Sequence, residues 1–438
     1  MVRIGVDLTP LQGPHRLRGV GSVIINFVRN IPFPLREQCK FTFYLYPELV
    51  NEALDLAGVD DSFNFEIRNP KKTSSALPSI KTLRGILHIP VRLYRQILQR
   101  SWGNDELPSV EELDVLLQFE QDKVPPNPRK VKTVVVAYDL IPYVLEKDYL
   151  MGYRTARRLH HYSRKASLLA YLRRKQYLYN IRLVSKLARQ VVAISHHTAN
   201  DFLRYAKVPQ NKLSIAHLGV TKMETATKAT EDGLRVERYV GTSWGDIMIP
   251  ATLPTKPFVL FIGGVDPRRK IVDLVEGFNI LRAQGQDLQL VLAGDTMLGP
   301  NSIPNLEAGA AIRSSSYKED ILFFGFVSDN VREYLYENAT AFVYPTRYEG
   351  FGLPILEAMR YGTPVITYNN SSVSEIAGSA ALYASDGASI AKNITTLLEN
   401  KKNLSLYRSL SLEQANKFSW EKTSKSMAET LLEIANAK

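Results

Sequence analysis

The chain has 438 residues, of which 45% are apolar and 23% are charged. This length exceeds one ordinary hydrophobic core, so we expect two domains of roughly 200 residues each. No apolar run approaches the roughly 20 residues that a membrane-spanning helix requires, so the sequence predicts no such helix. Cys39 is the single cysteine, which excludes an internal disulfide bond and a metal cluster built from thiolates.

The N-terminal sequence MVRIGVDLTP enters a strand-like run without the basic and apolar regions of a signal peptide. We therefore expect a cytoplasmic protein. In residues 1–245, apolar β-branched runs alternate with helix-like stretches, which is typical of βαβ units and a doubly wound parallel sheet. The expected strands are Ile4–Leu8, Phe41–Leu45, Val131–Ala137 and Val191–Ile194.

A polar stretch rich in Thr, Gly and Pro over residues 221–256 predicts a linker. A second series of strands and helices in residues 246–419 predicts another Rossmann-like domain. Residues 420–438 form an expected C-terminal helix, for which a return to the N-terminal domain is one arrangement left open. The expected strands of the second series are Phe258–Ile262, Leu288–Ala293, Ile321–Phe324, Ala341–Tyr344 and Val365–Thr367, and the expected helices are Ile271–Leu281, Val331–Glu337 and Pro354–Arg360.

The net charge of +11 is concentrated in part of the chain. Residues 149–200 contain 11 Lys or Arg and no acid, and the rest of the chain has 44 residues of each sign. Residues 68–104 hold eight further cations, again without an acid, and interleave them with Leu, Ile and Tyr. Both blocks predict basic amphipathic structure that suits an anionic membrane surface, with ordinary solvated helix faces as the alternative. Nucleic acid is not an expected partner.

Residues 341–367, AFVYPTRYEGFGLPILEAMRYGTPVIT, indicate a strand, a glycine-containing loop, a helix and a second strand. Gly350 and Gly352 permit positive φ and close approach, so the loop amides can turn toward a phosphate. Pro354 suits the first turn of a helix, whose N-terminus favours an anion. We expect Glu357 in that first turn, where it can accept hydrogen bonds from ribose hydroxyls. Complementing the helix dipole is the alternative role of Glu357.

Glu349 precedes the glycines at the lip of the loop, eight residues before Glu357. The pattern Glu-x7-Glu within EGFGLPILEAM, after FVYPTRY and before RYGTPVI, resembles the signature of a large retaining glycosyltransferase family (glycosyltransferase family 4, glycosyl transferases group 1). The resemblance extends through FVLFIGGVDPRRKIVDLVEGF, LQLVLAGD and ILFFGFVSDNVREYLYENAT, and so covers nearly all of the second domain. It implies the α/β fold called GT-B, in which two Rossmann-like, doubly wound domains face each other across a cleft.

The same resemblance implies roles for individual residues. Glu357 would bind the ribose of a nucleotide-sugar donor, and Glu349 would face the transferred sugar. Backbone amides of the glycine loop would meet the sugar hydroxyls and the diphosphate; these belong to Gly350, Phe351, Gly352 and Leu353.

A basic cluster follows the expected strand Phe258–Ile262 and comprises Arg268, Arg269 and Lys270. In similar enzymes an Arg and a Lys neutralise the donor diphosphate here. Laid on the family's Pro-Arg-Lys-Asn pattern, Arg269 takes the place of the lysine and Lys270 that of the asparagine. Cations at this position would stabilise the leaving nucleoside diphosphate as negative charge builds on it, and a solvated basic turn is the alternative.

No two Asp residues in the chain are separated by one position. The Asp-x-Asp pair that holds a divalent ion on the diphosphate in many other glycosyltransferases is therefore absent. Positive side chains and a helix N-terminus would replace the ion, so we expect no metal. We also expect no cofactor besides the donor substrate, a UDP-, GDP- or other nucleotide-sugar.

Gly19 and Gly21 in RGVGSVIINFVRN resemble the family's glycine loop near the diphosphate, and a structural turn explains them equally well. His196 and His197 in AISHHTANDF begin a helix after a strand, and we assign both a structural role.

Tyr138 in VVAYDLIPY stands where the resembling enzymes usually have a histidine before an aspartate. That histidine approaches the transferred sugar, so its role passes to Tyr138, to Asp139 or to the backbone. Asp139 follows the carboxyl end of a strand and is the candidate for acceptor contact, with loop capping as the alternative.

These patterns predict retaining, metal-independent transfer of a hexose of the mannose, glucose or N-acetylglucosamine type from a nucleotide diphosphate-sugar. The acceptor is a hydroxyl of a glycan or lipid-linked molecule in cell-surface polysaccharide or glycolipid synthesis, at the inner face of the plasma membrane if the basic segments bind it. The alternatives are a nucleotide-sugar epimerase, a sugar phosphorylase, or a non-catalytic glycan-binding partner of another transferase. The candidate catalytic residues are Glu349, Arg269, Asp139 and Tyr138.

Overall fold

The computed structural model describes residues 1–13, 19–70, 107–220, 236–242, 245–251, 253–294, 297–299, 301, 303 and 306–437. The chain divides into two compact units. The first comprises Met1–Gly219 together with Trp420–Lys438, and the second comprises Val220–Ser419.

The first unit contains a parallel sheet of seven strands in the order β3-β2-β1-β4-β5-β6-β7. Ile4 of β1 lies opposite both Phe41 of β2 and Val115 of β4, so β1 is a central strand. The order reverses between β1 and β4, and ligands of doubly wound sheets bind at the carboxyl ends of the strands at such a point. The strands are β1 (Val2–Asp7), β2 (Cys39–Tyr44), β3 (Phe65–Arg68), β4 (Val115–Gln118), β5 (Lys132–Ala137), β6 (Gln190–Ala193) and β7 (Leu213–Ile215).

Helices connect these strands and cover the sheet. Helix α1 buries Val23, Ile24, Phe27 and Val28, a spacing that places one apolar stripe against the core. The described α-helices between β1 and β7 are α1 (Gly19–Arg29), α2 (Phe33–Gln38), α3 (Val50–Ala57), α4 (Ile141–Val144), α5 (Tyr153–Arg158), α6 (Arg164–Leu187) and α7 (His196–Asp201).

The terminal helix, Trp420–Asn436, is also part of the first unit. Its buried Ser424 donates a hydrogen bond from Oγ to the carbonyl oxygen of Phe27 at 3.0 Å. Its Thr423 hydroxyl donates to the carbonyl oxygen of His217 at 2.6 Å. These bonds fix the helix against α1 and against the segment that follows β7.

The second unit contains a parallel sheet of six strands in the order β12-β11-β10-β13-β14-β15, and a separate antiparallel pair, β8-β9. Val259 of β10 lies opposite Leu290 of β11 and Ala341 of β13, so the order reverses between β10 and β13. The strands are β8 (Val236–Thr242), β9 (Gly245–Ala251), β10 (Phe258–Ile262), β11 (Gln289–Ala293), β12 (Ile321–Gly325), β13 (Ala341–Tyr344), β14 (Val365–Tyr368) and β15 (Ala381–Ala384).

The described α-helices of the second unit alternate with these strands. Helix α8 buries Leu274, Phe278 and Leu281 at intervals of four and three residues, as a core-facing helix requires. The helices are α8 (Ile271–Ala283), α9 (Leu306–Ser314), α10 (Asp329–Asn338), α11 (Leu353–Arg360), α12 (Ser371–Ala377), α13 (Gly387–Glu399) and α14 (Lys401–Ala415).

The predicted class, an α/β fold with two doubly wound parallel sheets, is confirmed. The predicted strands Phe258–Ile262 and Ala341–Tyr344 coincide with β10 and β13. The linker prediction was wrong for residues 236–242 and 245–251, which form β8 and β9. Antiparallel pairing satisfies the backbone hydrogen bonds of both strands even in a segment rich in Gly and Thr. Composition alone therefore did not distinguish this strand pair from a linker. The predicted limit between residues 245 and 246 falls at the start of β9, and the domain limits stay a prediction.

Within the described part of the chain, none of the helices combines the length and the apolarity needed to cross a bilayer. The basic segment predicted over residues 68–104 lies outside the described residues from residue 71 onward.

Candidate functional site

Two loops leave the carboxyl ends of β10 and β13, the neighbouring strands between which the order of the second sheet reverses. The first loop carries residues 268–270 and the second carries residues 349–352. Arg269 and Thr346 form a backbone bridge between the loops, and the Lys270 amide donates to the carbonyl oxygen of Pro345 at 2.7 Å. The predicted basic cluster and Glu349 therefore come together at the switch point of this sheet.

Glu349 is a buried carboxylate with only 8% of its surface exposed. Its Oε1 accepts hydrogen bonds from the Tyr344 hydroxyl at 3.1 Å, from the Thr346 hydroxyl at 3.1 Å and from Arg268 Nε at 3.2 Å. Its Oε2 lies 3.4 Å from Arg268 Nη2. A buried carboxylate stays charged only when it is paired and hydrogen-bonded, and these contacts meet both conditions.

Tyr344 is a fixed hydrogen-bond donor to this carboxylate. Burial raises the pKa of its phenol, which keeps the hydroxyl protonated at physiological pH. The Tyr344 ring is stacked between Phe261 and Phe342, with centroid distances of 5.8 and 5.7 Å. The orientation of Glu349 is therefore set by residues of the sheet core.

The two arginines of the basic cluster are held differently. Arg268 also donates from Nη1 to Asp266 Oδ2 at 2.7 Å, so it lies between two carboxylates. Arg269 donates from Nη1 to the carbonyl oxygen of Gly264 at 2.7 Å, and its Nε lies 3.8 Å from Glu349 Oε1. The Arg269 guanidinium also lies over the Tyr344 ring, 5.2 Å from its centroid. Arg269 is thus committed to the packing around Glu349.

Lys270 differs from both arginines. It immediately precedes α8 and is half-buried, with its backbone amide fixed by Pro345. Across the described ranges its ammonium group has neither a hydrogen bond nor an ion pair. Of the three cations, Lys270 is the one whose charge no described carboxylate offsets.

The glycine loop ends in a backbone conformation that favours glycine. Gly352 has φ of 107° and caps α11, and the amide of Ile355 donates to its carbonyl oxygen at 3.0 Å. A side chain at residue 352 would be strained. Pro354 occupies the first turn of α11, where its missing backbone N–H leaves no unpaired donor. The helix predicted from Pro354 thus begins one residue earlier, and its binding of an anion stays a prediction.

Two serines after β14 clamp the same loop. The buried Ser372 hydroxyl lies 2.8 Å from the carbonyl oxygen of Glu349 and 2.9 Å from that of Phe351. The amide of Glu349 donates to Ser371 Oγ at 3.0 Å. Phe351 is 3% exposed and packs edge-on against Phe418. The backbone on both sides of Gly350 is therefore held in one conformation.

Glu357 is the fifth residue of α11, so its predicted place in the first turn was wrong. The helix begins at Leu353, one residue before the proline, and this moves Glu357 into the second turn. Its Oε2 accepts a hydrogen bond from the Tyr336 hydroxyl at 3.0 Å. Burial raises the pKa of Tyr336 and the charge of Glu357 raises it further, so Tyr336 remains a donor. In the part of the chain that is described, Oε1 of Glu357 has no hydrogen-bond partner.

The predicted residues of the first unit lie at the carboxyl ends of its central strands. Gly19 and Gly21 open α1, which follows β1, and a side chain at Gly19 would have open space around it. Gly21 is buried. Their assignment to a phosphate loop stays a prediction.

Tyr138 and Asp139 directly follow β5. The Tyr138 hydroxyl is buried and makes no hydrogen bond within the described residues, and burial raises its pKa. Asp139 Oδ1 accepts a hydrogen bond from the Ile141 amide at 2.9 Å at the start of α4. Gln121 joins this turn to the loop after β4, because its Oε1 accepts from the Tyr138 amide at 2.7 Å. Loop capping thus accounts for the Asp139 carboxylate, and acceptor contact by either residue stays a prediction.

His196 and His197 open α7. The helix is capped by Ser195, whose hydroxyl accepts from the Thr198 amide at 3.0 Å. The His196 ring meets the His217 ring edge-on at 5.5 Å between centroids. This packing agrees with the structural role that we assign to the two histidines.

Sequence reasoning missed a buried ion pair at the switch point of the first sheet. Asp7 is 1% exposed at the end of β1, and Lys123 Nζ lies 2.8 Å from its Oδ2. The Thr9 hydroxyl donates to the other oxygen of Asp7 at 2.6 Å. A charged residue directly after an apolar strand was the available signal, but its partner is more than a hundred residues away in sequence.

Comparisons with known proteins define the class of this site. Residues 248–413, which contain both loops, match the family model described as "Glycosyl transferases group 1". This part of the second unit is therefore similar to the group 1 glycosyl transferases. Over 99% of its length the chain is similar to the crystal structure of Anabaena HepE in complex with UDP-glucose, with a TM-score of 0.61 and 14% identity over 100% of that chain. This likeness confirms the GT-B fold class.

Curated relatives are more similar in sequence but match only in part. The chain is 27% identical over 237 residues to the O-antigen chain mannosyltransferase B of Escherichia coli, which is 53% of this chain and 58% of that protein. It is 26% identical over 295 residues to the serotype-specific mannosyltransferase WbdA of Escherichia coli, 67% of this chain and 32% of that protein. The chain thus spans about half or less of the length of these relatives.

The serine clamp yields a prediction for stability. Replacing Ser372 by Ala removes the one hydroxyl proton that the carbonyl oxygens of Glu349 and Phe351 share, so we expect a loss of about 1–3 kcal/mol. Urea or thermal unfolding followed by circular dichroism measures the change. The control is Ser374→Ala, an exposed position on the same helix, α12. Equal effects of the two substitutions would contradict the clamp.

Proposed function

We propose that this protein transfers a hexose from a nucleotide diphosphate-sugar to a hydroxyl of a glycan or lipid-linked acceptor, with retention of anomeric configuration. The observation that carries the proposal is the buried Glu349, held by Arg268 beside the glycine loop of a domain similar to the group 1 glycosyl transferases. The names of the two Escherichia coli relatives favour mannose as the sugar and polysaccharide synthesis as the setting. The UDP-glucose bound to the similar HepE structure supports a nucleotide-sugar as the donor.

The donor diphosphate would lie between Lys270 and the N-terminus of α11. Lys270 offers a charge that no described protein carboxylate neutralises, and the dipole of α11 adds partial positive charge at its N-terminus. Arg268 is also near, although two carboxylates already share its guanidinium. Binding of a diphosphate would redistribute these ion pairs, with Arg268 turning in part from Asp266 to the phosphate.

Glu357 would bind the ribose of the donor. Tyr336 fixes one of its oxygens, and the other can accept hydrogen bonds from the two vicinal hydroxyls of a ribose. The position of Glu357 in the second turn of α11 places this acceptor beyond the amides that would meet the phosphates. The order of groups along α11 thus matches the order of diphosphate and ribose in a nucleotide.

Glu349 would orient the transferred sugar rather than attack it. Its Oε1 accepts three hydrogen bonds and Arg268 lies against both of its oxygens, which lowers the nucleophilicity of the carboxylate. In the reaction that we propose, the acceptor oxygen forms a bond to the anomeric carbon on the face that the diphosphate leaves. The acceptor proton passes to the departing phosphate oxygen, while the nearby cations stabilise the charge that develops on the diphosphate. The buried carboxylate stabilises the positive sugar in the transition state.

The charge of Glu349 is the first test. Glu349→Gln keeps the size of the side chain but leaves Arg268 and Arg269 facing an uncharged amide, so we expect kcat to fall by about 10²-fold or more. In Glu349→Ala, kcat should fall by at least the same factor. The measurement is turnover of a competent donor with saturating acceptor, with Glu399→Gln at an exposed helix end as the control. Turnover near that of the wild type in both variants would remove Glu349 from the mechanism.

Lys270 provides the second test. Lys270→Met removes one charge-assisted contact, so the affinity for UDP or GDP should fall by about 10- to 100-fold. Isothermal titration calorimetry measures the affinity, and Lys392→Met on the exposed face of α13 is the matched control. If the affinity is unchanged in Lys270→Met, Lys270 does not bind the phosphates, and Arg268 becomes the candidate for that contact.

We also propose that transfer needs no divalent metal ion. The proposal rests on the absence of an Asp-x-Asp pair from the whole sequence and on the three cations of the first loop. Turnover should be the same in EDTA and in added Mg²⁺. A rate that disappears in EDTA and returns with Mg²⁺ or Mn²⁺ would contradict this.

A further inference from the structure

The first unit exposes a cluster of large apolar side chains over residues 153–172. Leu159 is 55% exposed, and Leu168 and Leu172 are 44% and 45% exposed. Several large apolar side chains exposed in one stretch of chain, with charged residues among them, make that stretch a candidate interaction surface. The members of the cluster are Tyr153, Leu159, Tyr162, Leu168, Tyr171 and Leu172.

The charge within this stretch of sequence has one sign, although Glu146 from the preceding segment contacts it through Thr155 and Arg174. Residues 149–200 contain 11 Lys or Arg and no Asp or Glu, and all of these cations except Arg174 are exposed. Arg164, Lys165, Arg173 and Lys175 lie on α6 within one or two turns of the exposed leucines. This stretch therefore combines exposed apolar side chains with exposed cations.

Helix α6 divides its length between this surface and the core. Leu168, Tyr171 and Leu172 are spaced by three and four residues, so they lie on one face of the N-terminal half. In the C-terminal half, Leu178, Ile181 and Val184 are buried in the unit. Tyr171 and Leu178 are seven residues apart on the same side of the helix, so this side is exposed in the N-terminal half and packed in the C-terminal half.

Arg174 anchors α6 between the two halves. Its Nη2 lies 3.3 Å from Glu146 Oε2, and its Nη1 donates to the carbonyl oxygen of Leu150 at 3.0 Å. Its guanidinium also lies 3.9 Å from the centroid of the Tyr143 ring. The N-terminal half of α6 is therefore presented on a fixed support.

We infer that residues 153–175, here called the basic face, dock the protein on an anionic lipid bilayer. The exposed leucines and tyrosines enter the boundary between headgroups and acyl chains, and the surrounding cations pair with lipid phosphates. The inference goes beyond the proposed function, because it concerns where the enzyme acts and rests on none of the donor-site residues.

Two other partners fit the basic face less well. A nucleic-acid backbone would use the cations but would gain little from exposed leucines, whereas a bilayer uses both kinds of group. A second copy of the same face would bring like charges together, which disfavours self-association. An anionic bilayer is the partner whose chemistry complements the whole surface.

The first measurement is co-sedimentation of the full chain with vesicles. We expect binding to phosphatidylcholine vesicles that contain about one third phosphatidylglycerol, weaker binding at high salt, and little binding to pure phosphatidylcholine. Equal binding to both vesicle types, or binding to neither, would overturn the inference. Binding of RNA or dimer formation in place of vesicle binding would overturn it as well.

The second measurement locates the surface. Leu168→Ser with Leu172→Ser removes two apolar groups without changing charge, and Arg173→Glu with Lys175→Glu reverses two charges. Each pair should weaken binding to anionic vesicles by about 10-fold or more. The control is Leu406→Ser with Lys402→Glu, two exposed positions on α14 of the second unit. Circular dichroism confirms folding, and transfer to a water-soluble acceptor should be unchanged. Undiminished binding in both basic-face variants would overturn the assignment.

Discussion

The ion pair between Glu349 and Arg268 is the interaction on which the second unit's site depends. A carboxylate with 8% exposure needs partners to remain charged, and it finds them on two loops that are about eighty residues apart in sequence. The pairing therefore draws the loop after β10 onto the loop after β13. Tyr344 and Thr346 complete the set of donors from the end of β13 itself. Because Arg268 and Arg269 serve this carboxylate, the charge of Lys270 is left for a ligand.

The second half of the fold could be predicted in some detail from the sequence. Continuous apolar runs such as Phe258–Ile262 predict buried parallel strands, and residues that follow such strands share one edge of a sheet. That rule alone brings the basic cluster near Glu349. In the first unit, the sequence pattern did not reveal β4 (Val115–Gln118), because four consecutive buried residues show no periodicity. It also could not find the hairpin within the predicted linker, where pairing overrides composition.

The contacts within the site were less predictable. Ser372 and Tyr336 act through side-chain hydrogen bonds whose geometry depends on how β14 and α10 pack, and no local pattern encodes that packing. The place of Glu357 in α11 was predicted one residue too early, because Pro354 suits either of the first two helical positions. In the first unit, Asp139 shows that a carboxylate at a strand end can cap a loop as readily as it can meet a substrate.

The central claim is that the loops around Glu349 and Glu357 hold a nucleotide-sugar. A thermal-shift screen of UDP-, GDP-, ADP- and dTDP-sugars tests it most directly, since a ligand that binds the folded state raises the unfolding midpoint. The account predicts that sugars of one nucleotide base raise the midpoint, and that Glu357→Gln reduces the shift while NAD leaves the midpoint unchanged. The claim would be contradicted if no nucleotide-sugar raised the midpoint. It would also be contradicted if the shift were equal in the wild type and in Glu357→Gln.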